Sequence, residues 1–150
     1  GLGDTVFEKL DANLAKAVMS IGAVKCVEIG DGKRAAVLTG SEDNDGFIIN
    51  EGNTIEKTSN HAGGILGGMS DGSEIRLRAA FKATPSILKT QHTVNKENEN
   101  IEISIKGRHD PVIVPRAVVV VEAMAAITIL DALLLNMTAT MDGIKKFYDK

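Results

Sequence analysis

Large aromatic side chains and cysteines are scarce in this 150-residue chain. It has no Trp, one Tyr and four Phe, so its core must be built from Val, Ile, Leu, Ala and Met. A flat ligand would therefore find few aromatic rings to stack against. Cys26 is the only cysteine, which excludes an intrachain disulfide and a multi-cysteine metal site. Cys26 is predicted to be a small buried apolar residue, and its isolation fits a reducing cytoplasm.

A surplus of positive charge is also missing. The net charge is −3 and the sequence pI is about 5.6, which disfavours a nucleic-acid partner because phosphates need excess Lys and Arg. The three histidines are scattered without metal-ligand spacing, so no metal site is predicted. The most apolar stretch, Ala117 to Leu135, contains Glu122 and Asp131, which favours a buried helix over a membrane span.

The first third of the chain shows a helical period followed by strand signals. Thr5 to Glu8 fits a capping box, and apolar residues then recur at helical spacing, which predicts a helix to about Ser20. Ala23 to Ile29 is predicted to be a strand. The turn Gly30-Asp31-Gly32 would then lead into a second strand through Val37-Leu38, giving a hairpin.

The remaining chain predicts a polar excursion, two strands and a long helix. Ser41 to Asn60 is polar apart from Phe47-Ile48-Ile49, which suits a small exposed hairpin. Alternating apolar residues predict half-buried strands at 75–82 and 101–105, on either side of the polar connection 95–100. Pro115 marks the start of a helix to about Asn136, apolar nearly all round and so central to the core. Residues 141–150 are expected to form a short tail, and the whole chain one domain of mixed α/β (α+β) class.

Two segments could carry chemistry. His61 to Gly72 is rich in glycine, which suits either a structural turn or a loop that presents N–H groups to a ligand. Its spacing matches neither a Walker nor a Rossmann motif. Lys106 to Pro111 places two cations, a histidine and a carboxylate between a strand and a helix, where functional loops are common. The alternative is a solvent-exposed connection in which Asp110 pairs with Arg108.

Four blocks in order resemble the chorismate synthase family: residues 1–10 (GLGDTVFEKL), 19–25 (MSIGAVK), 60–68 (NHAGGILGG) and 106–111 (KGRHDP). The resemblance runs from Gly1 to about Asn136. The start, Gly1-Leu2-Gly3-Asp4, has neither Met nor a signal peptide, so we expect a piece of a longer protein, namely the C-terminal portion of the family's β-α-β sandwich. The family's N-terminal region, with two catalytic histidines and several substrate-binding arginines, is not in this sequence.

The resemblance implies a lyase that converts 5-enolpyruvylshikimate 3-phosphate to chorismate and phosphate by anti 1,4-elimination. It also implies reduced FMN as cofactor, a cytoplasmic homotetramer, and no membrane or nucleic-acid partner. Asp110 is the implied catalytic residue, beside the flavin N5. The implied FMN contacts are Gly22, Ala23, Gly67, Lys82, Ala83, Thr84, Pro85, Ser86 and Arg108.

The sequence departs from the family pattern at four positions. Gly22 stands where the family commonly has Asn or Pro, and Cys26 stands where it usually has Gly. Lys33 stands where Phe is usual, and Ala83 where Pro is usual. The competing interpretation is a non-catalytic flavin-binding or subunit-assembly fragment. Either way, the chain on its own is expected to be inactive.

Overall fold

The computed structural model describes residues 1–108, 110 and 112–149. The helices are α1 Leu10–Met19, α2 Gly40–Asp43, α3 Val114–Asn136 and α4 Met141–Tyr148, with a 3₁₀ helix at Gly32–Val37. The strands are β1 Val24–Ile29, β2 Phe47–Ile49, β3 Ile55–Lys57, β4 Ile65–Leu66, β5 Met69–Ser70, β6 Leu77–Phe81, β7 Gln91–Val94 and β8 Asn100–Ile103. The strands form four antiparallel pairs: β1 with β6, β2 with β3, β4 with β5 and β7 with β8.

Helix α1 supplies the centre of the core. Leu10, Leu14 and Val18 are spaced by four residues and are at most 1% exposed, as the helical period requires of one face. The predicted capping box at Thr5 is wrong, because α1 begins only at Leu10. The N–H of Leu10 donates to the carbonyl of Gly68 at 2.7 Å. A distant turn therefore satisfies this helix-end donor, in a way that local sequence does not reveal.

Strand β1 forms as predicted, but its partner does not. The segment expected to return as a hairpin strand is the 3₁₀ helix Gly32–Val37, and β1 pairs instead with β6. The turn between β1 and the 3₁₀ helix is held by remote segments. The Gly30 N–H donates to the carbonyl of Arg76, and the Asp31 N–H donates to the carbonyl of His61. These tertiary bonds occupy the backbone groups that a local hairpin would have used.

A register shift between Val24 and Cys26 interrupts the β1–β6 ladder. Val24 is buried, whereas Lys25 and Cys26 are both exposed. The predicted burial of Cys26 is therefore wrong, because the irregularity breaks the alternation that would have turned it inward.

The small hairpin in the polar excursion is confirmed as β2–β3, and the strand near Ile75 is confirmed as β6. Strand β8 is also found, but its partner β7 was not predicted. Its sequence Gln-His-Thr-Val has little apolar alternation, and the strand is recognisable only from its pairing with β8. Asn95 closes the connecting turn by accepting from the N–H groups of Glu97 and Glu99.

Helix α3 has almost the predicted bounds but not the predicted burial. Only Ala117 is buried, while Val119, Ile127 and Leu135 are all more than 60% exposed. One side contacts α1, where Ala125, Ile129 and Ala132 pack near Leu10 and Leu14. By length and composition alone α3 could cross a membrane, and one such helix is weak evidence for doing so.

The predicted C-terminal tail contains a helix. The Thr140 hydroxyl accepts from the Gly143 N–H at 3.1 Å, which caps α4. The signal was present in the sequence as a threonine before Met141, with Asp142 in the first turn.

Candidate functional site

The end of the β1–β6 pair brings two predicted flavin segments together. The Lys82 N–H donates to the carbonyl of Ala23 at 2.7 Å, one step beyond the paired Val24 and Phe81. Ala23 has φ +69°, a left-handed conformation that is uncommon outside glycine. The adjacent Gly22 is exposed, and a side chain there would meet no atom within 4 Å. The junction therefore combines small residues and open space with the exposed cation of Lys82.

The segment from Lys82 to Ser86 leaves this junction as an irregular loop. Lys82, Ala83 and Pro85 are exposed, whereas Thr84 and Ser86 are half-buried. The carbonyl of Pro85 accepts from the Gln91 side-chain amide at 3.0 Å, which ties the loop to β7. Two hydroxyl groups and one ammonium group are thus present within five consecutive residues.

Gly67 lies in the two-residue turn between β4 and β5. Gly67 and Gly68 have φ of +60° and +91°, so both adopt the backbone region that glycine favours. A Cβ on Gly68 would collide with the carbonyl of Asp4, but one on Gly67 would meet nothing within 4 Å. The Gly68 carbonyl accepts from the first residue of α1, and Gly22 lies just after the last residue of α1. The two glycines are therefore separated by roughly the length of α1, about 15 Å.

The loop before α3 holds the predicted catalytic carboxylate. Arg108 and Asp110 are exposed, and His109 and Pro111 lie outside the described residues. Asp110 Oδ2 is 2.7 Å from Nη1 of Arg116 in the first turn of α3. In the alternative interpretation of this loop Asp110 pairs with Arg108, but the cation that contacts Asp110 is Arg116, which the sequence analysis did not consider. The sequence did contain a signal for this contact. A cation in the first turn of a helix is disfavoured by the helix dipole, so an arginine there calls for another explanation.

The predicted residues form separate groups in this chain. Within residues 1–108, 110 and 112–149, no hydrogen bond or ion pair joins the Ala23–Lys82 junction to Gly67 or to Asp110. A cavity of about 870 Å³ lies between α1 and α3, bordered by Ala17 and Met124, and none of the predicted flavin residues lines it.

A buried carboxylate supports the glycine-rich segment. Asp45 accepts from the Ser59 hydroxyl and from the N–H groups of His61 and Ala62 at 2.7 to 3.0 Å. Burial alone would raise the pKa of Asp45, but these hydrogen bonds and the nearby Lys57 hold it well below its usual range. At these positions the loop presents its N–H groups to a carboxylate of the protein itself.

Lys57 lies between two carboxylates, Asp45 and Asp71. Burial disfavours its charged form, yet the contacts with Asp71 and Asp45 raise the pKa of Lys57 above its ordinary value. The pKa of Asp71 is lowered, because its hydrogen bond from Lys57 outweighs burial. This buried charge cluster fixes the β2–β3 hairpin against the glycine-rich segment, and no sequence motif had indicated it.

His61 has a hydrogen-bonded environment. Its Nδ1 lies 2.9 Å from Asp31 Oδ2, and this contact is the main cause that lowers the pKa of Asp31. A side-chain oxygen of Asp43 completes a group within 4.8 Å of both. At Gly63 and Gly64 a Cβ would collide with the backbone of Gly30 and Glu74, so close packing explains these two glycines.

Comparison with known proteins decides the family. The family model described as chorismate synthase matches residues 1–134. The chain belongs to the chorismate synthase family. Chorismate synthase from Agathobacter rectalis is 70% identical over all 150 residues, and that from Lachnospira eligens is 63% identical over the same length. A crystal structure of chorismate synthase superposes with a TM-score of 0.72 at 35% identity, covering 99% of this chain and 38% of that one.

The match to chorismate synthases involves only part of each relative. The chain spans 41% of the length of the Agathobacter rectalis and Lachnospira eligens proteins. The structural match agrees with the mixed helix and strand content and shows the fold expected from the resemblance.

Proposed function

We propose that this chain is part of a chorismate synthase that converts 5-enolpyruvylshikimate 3-phosphate to chorismate and phosphate by anti 1,4-elimination. Family membership, 70% identity to one chorismate synthase and 63% to another support the reaction. Reduced FMN, when bound, would lend electron density transiently to the substrate as its bond to phosphate breaks, with no net oxidation or reduction. We also propose that the protein containing this chain forms the homotetramer that the resemblance implies.

The chain is proposed to contribute a large part of the flavin-binding surface. The observation that carries this is the Ala23–Lys82 hydrogen bond, since it joins two segments chosen independently of the structure. The space at Gly22 and Gly67 lets a ring system approach the backbone. Lys82 and the hydroxyls of Thr84 and Ser86 suit phosphate or flavin oxygens. Ala83 and Pro85 complete the loop that carries them.

Two residues of the 106–111 loop are proposed to act where flavin and anionic substrate meet: Arg108, an FMN contact implied by the resemblance, and Asp110. Arg108 is exposed, and its guanidinium suits an anionic ligand. The Asp110 carboxylate is proposed to act as a general base toward the flavin N5 position, so that the proton leaving the substrate ring has an acceptor. The histidines that the resemblance assigns to catalysis lie outside this chain, so the rest of the active site has to come from additional polypeptide.

The test is a chimera in which these 150 residues replace the matching segment of the Agathobacter rectalis protein. Supplied with reduced FMN and substrate, the chimera should form chorismate. Asp110→Asn should retain FMN and substrate binding while turnover falls by about 10² to 10⁴, the usual contribution of a general base. Asp142→Asn, an exposed carboxylate on α4, is the matched control and should leave turnover unchanged.

Two results would contradict the proposal. Full turnover by Asp110→Asn would show that the proton goes elsewhere. An inactive chimera that nevertheless binds FMN would favour the alternative function, a flavin-binding or assembly fragment without a catalytic role.

A further inference from the structure

We propose that Arg116 is a positioning residue that holds one oxygen of the Asp110 carboxylate and so directs the other oxygen toward the reacting proton. The inference rests on the proposed function, in which Asp110 is the base. The contact is made by a single pair of atoms, Arg116 Nη1 and Asp110 Oδ2, at 2.7 Å. In the described part of the chain no hydrogen bond involves Oδ1, which is therefore the atom available to take a proton.

The base of the Arg116 side chain is firmly held. Its N–H donates to the carbonyl of Ile113 at 3.0 Å, and that of Ala117 to the same carbonyl at 3.1 Å. Ala117 is the buried residue of α3, and Pro115 before Arg116 has a fixed φ. The guanidinium therefore extends from a helical turn, while Asp110 lies outside any helix or strand in the segment before α3. Arg116 is thus able to fix the direction of the Asp110 carboxylate from a regular element.

Neither helix electrostatics nor fold stability accounts for an arginine at this position. The positive end of the α3 dipole disfavours a cation in the first turn, which contains no acidic residue. The ion pair is also solvent-exposed, at 80% for Arg116 and 44% for Asp110. Exposed pairs contribute little to stability, so orientation of Asp110 is the role that the geometry leaves.

The separate roles of Asp110 and Arg116 follow from the chemistry of the carboxylate and the guanidinium. The carboxylate accepts the proton at Oδ1 and becomes a neutral acid, and the proton then returns to solvent. The guanidinium keeps its own protons throughout, because arginine is not deprotonated in proteins. Arg116 therefore orients the base and carries no proton.

The experiment compares Arg116→Ala and Arg116→Lys in the chimera. Loss of orientation should lower kcat of Arg116→Ala about 10-fold to 100-fold, the scale of a misplaced catalytic group. FMN affinity, KM for the substrate and the thermal midpoint should stay unchanged. Arg116→Lys should recover part of kcat, since an ammonium can still donate to Oδ2. The double variant Asp110→Asn/Arg116→Ala should be no slower than Asp110→Asn alone.

Arg76→Ala is the matched control, because Arg76 makes a similarly exposed pair with Glu74 at 2.8 Å. It should leave kcat unchanged. A crystal structure of the flavin-free chimera supplies a readout that needs no activity. Asp110 Oδ2 should contact Arg116 there, and in Arg116→Ala the Asp110 side chain should occupy more than one rotamer.

Each contrary outcome has a distinct meaning. If Arg116→Ala keeps its kcat while Asp110→Asn loses it, the proposed function stands and the positioning role is wrong. If Arg116→Ala instead weakens FMN or substrate binding, Arg116 is a ligand-binding residue and the inference is overturned. If Asp110→Asn alone keeps full turnover, the assignment of the base fails, and the inference fails with it.

Discussion

Individual charged residues divide into two kinds in this chain according to their burial. Asp45 is buried, the side chains of Lys57 and Asp71 are largely covered, and Lys57 pairs with both carboxylates. Arg108 and Asp110 are exposed on a loop. Buried charges of the first kind stabilise the fold because their hydrogen bonds offset desolvation. Exposed charges of the second kind are accessible to a ligand.

Arg108→Ala in the chimera is expected to weaken binding of the anionic substrate by about 1.5 to 3 kcal/mol, the scale of a charge-assisted hydrogen bond. Binding of 5-enolpyruvylshikimate 3-phosphate, measured by calorimetry with FMN present, checks it. Arg34→Ala, which removes an exposed guanidinium from the 3₁₀ helix, is the control. An unchanged affinity would show Arg108 to be a surface residue.

Asp45→Asn is expected to destabilise the chimera by about 2 to 3 kcal/mol at neutral pH, because an amide accepts weaker hydrogen bonds than a carboxylate and leaves Lys57 with one partner. Urea unfolding gives the change in free energy. Glu51→Gln, an exposed acid on the same hairpin, should change it little. A similar loss in both variants would mean that the cluster is not a special stabilising element.

The same variant has a defined pH dependence. The pKa of Asp45 is depressed in the fold, so its stabilisation is fully present above the unfolded value, about 3.9, and is lost progressively as the pH falls from there through the lower folded value. The difference in unfolding free energy between wild type and Asp45→Asn should therefore shrink as the pH drops from about 5 to 3. A difference that stays constant over this range would contradict the assignment.

At the scale of elements, long-range contacts decide where helices and strands begin and pair. The β4–β5 turn delivers the Gly68 carbonyl to the first residue of α1. The β1–β6 pair places Ala23 beside Lys82, although the two residues are 59 positions apart in the sequence. The geometry of the β4–β5 turn thus helps to determine where α1 begins.

Gly68→Ala is expected to lower the thermal midpoint more than Gly67→Ala. Both have positive φ, which costs about 1 to 2 kcal/mol for an alanine. Only at Gly68 would the new Cβ also collide with the Asp4 carbonyl and the Lys9 side chain. Calorimetry ranks the two variants, and faster amide exchange at Leu10 in Gly68→Ala would show that the start of α1 has loosened. Equal effects would mean that the clash is relieved freely.

The whole molecule exposes far more surface than its mass requires. Its accessible surface is 11271 Å², whereas a compact monomer of 15.9 kDa exposes about 7,400 Å². Much of the apolar excess lies on α3, where Leu130 and Leu134 are more than half exposed. The chain spans 41% of the length of the Agathobacter rectalis protein, and we expect these faces to be covered when it is part of a larger protein or assembly.

The isolated 150-residue chain is therefore expected to associate and to bind an apolar dye such as ANS. Leu130→Lys/Leu134→Lys should reduce both effects, measured by sedimentation and fluorescence. Val37→Lys, which changes an 81% exposed apolar residue outside α3, should reduce them less. A monodisperse monomer without dye binding would show that α3 needs no cover.

The isolated chain is also expected to form no chorismate from substrate and reduced FMN, because the histidines implied for catalysis lie outside it. A coupled assay at high protein concentration checks this. Turnover by the pure chain would show that its own residues suffice.

The sequence by itself determined those features that depend on local pattern or on motifs in order. The periods of α1, β1 and β6 identify these elements because a buried face imposes its spacing on neighbouring residues, whereas α3 is identified by Pro115 and the long apolar run that follows it. The four blocks of residues indicate the family without reference to the tertiary structure.

Only the tertiary structure decided which elements pair and which surfaces are covered. The expected hairpin after β1 became a 3₁₀ helix because Arg76 and His61 bind its turn, and Cys26 became exposed through the register shift opposite β6. The apolar composition of α3 predicted a helix central to the core, which is wrong for this chain, because little more than the α1-facing side of α3 is covered. Pairing of Asp110 with Arg116 likewise depends on how a loop meets a helix, and composition holds no information about that contact.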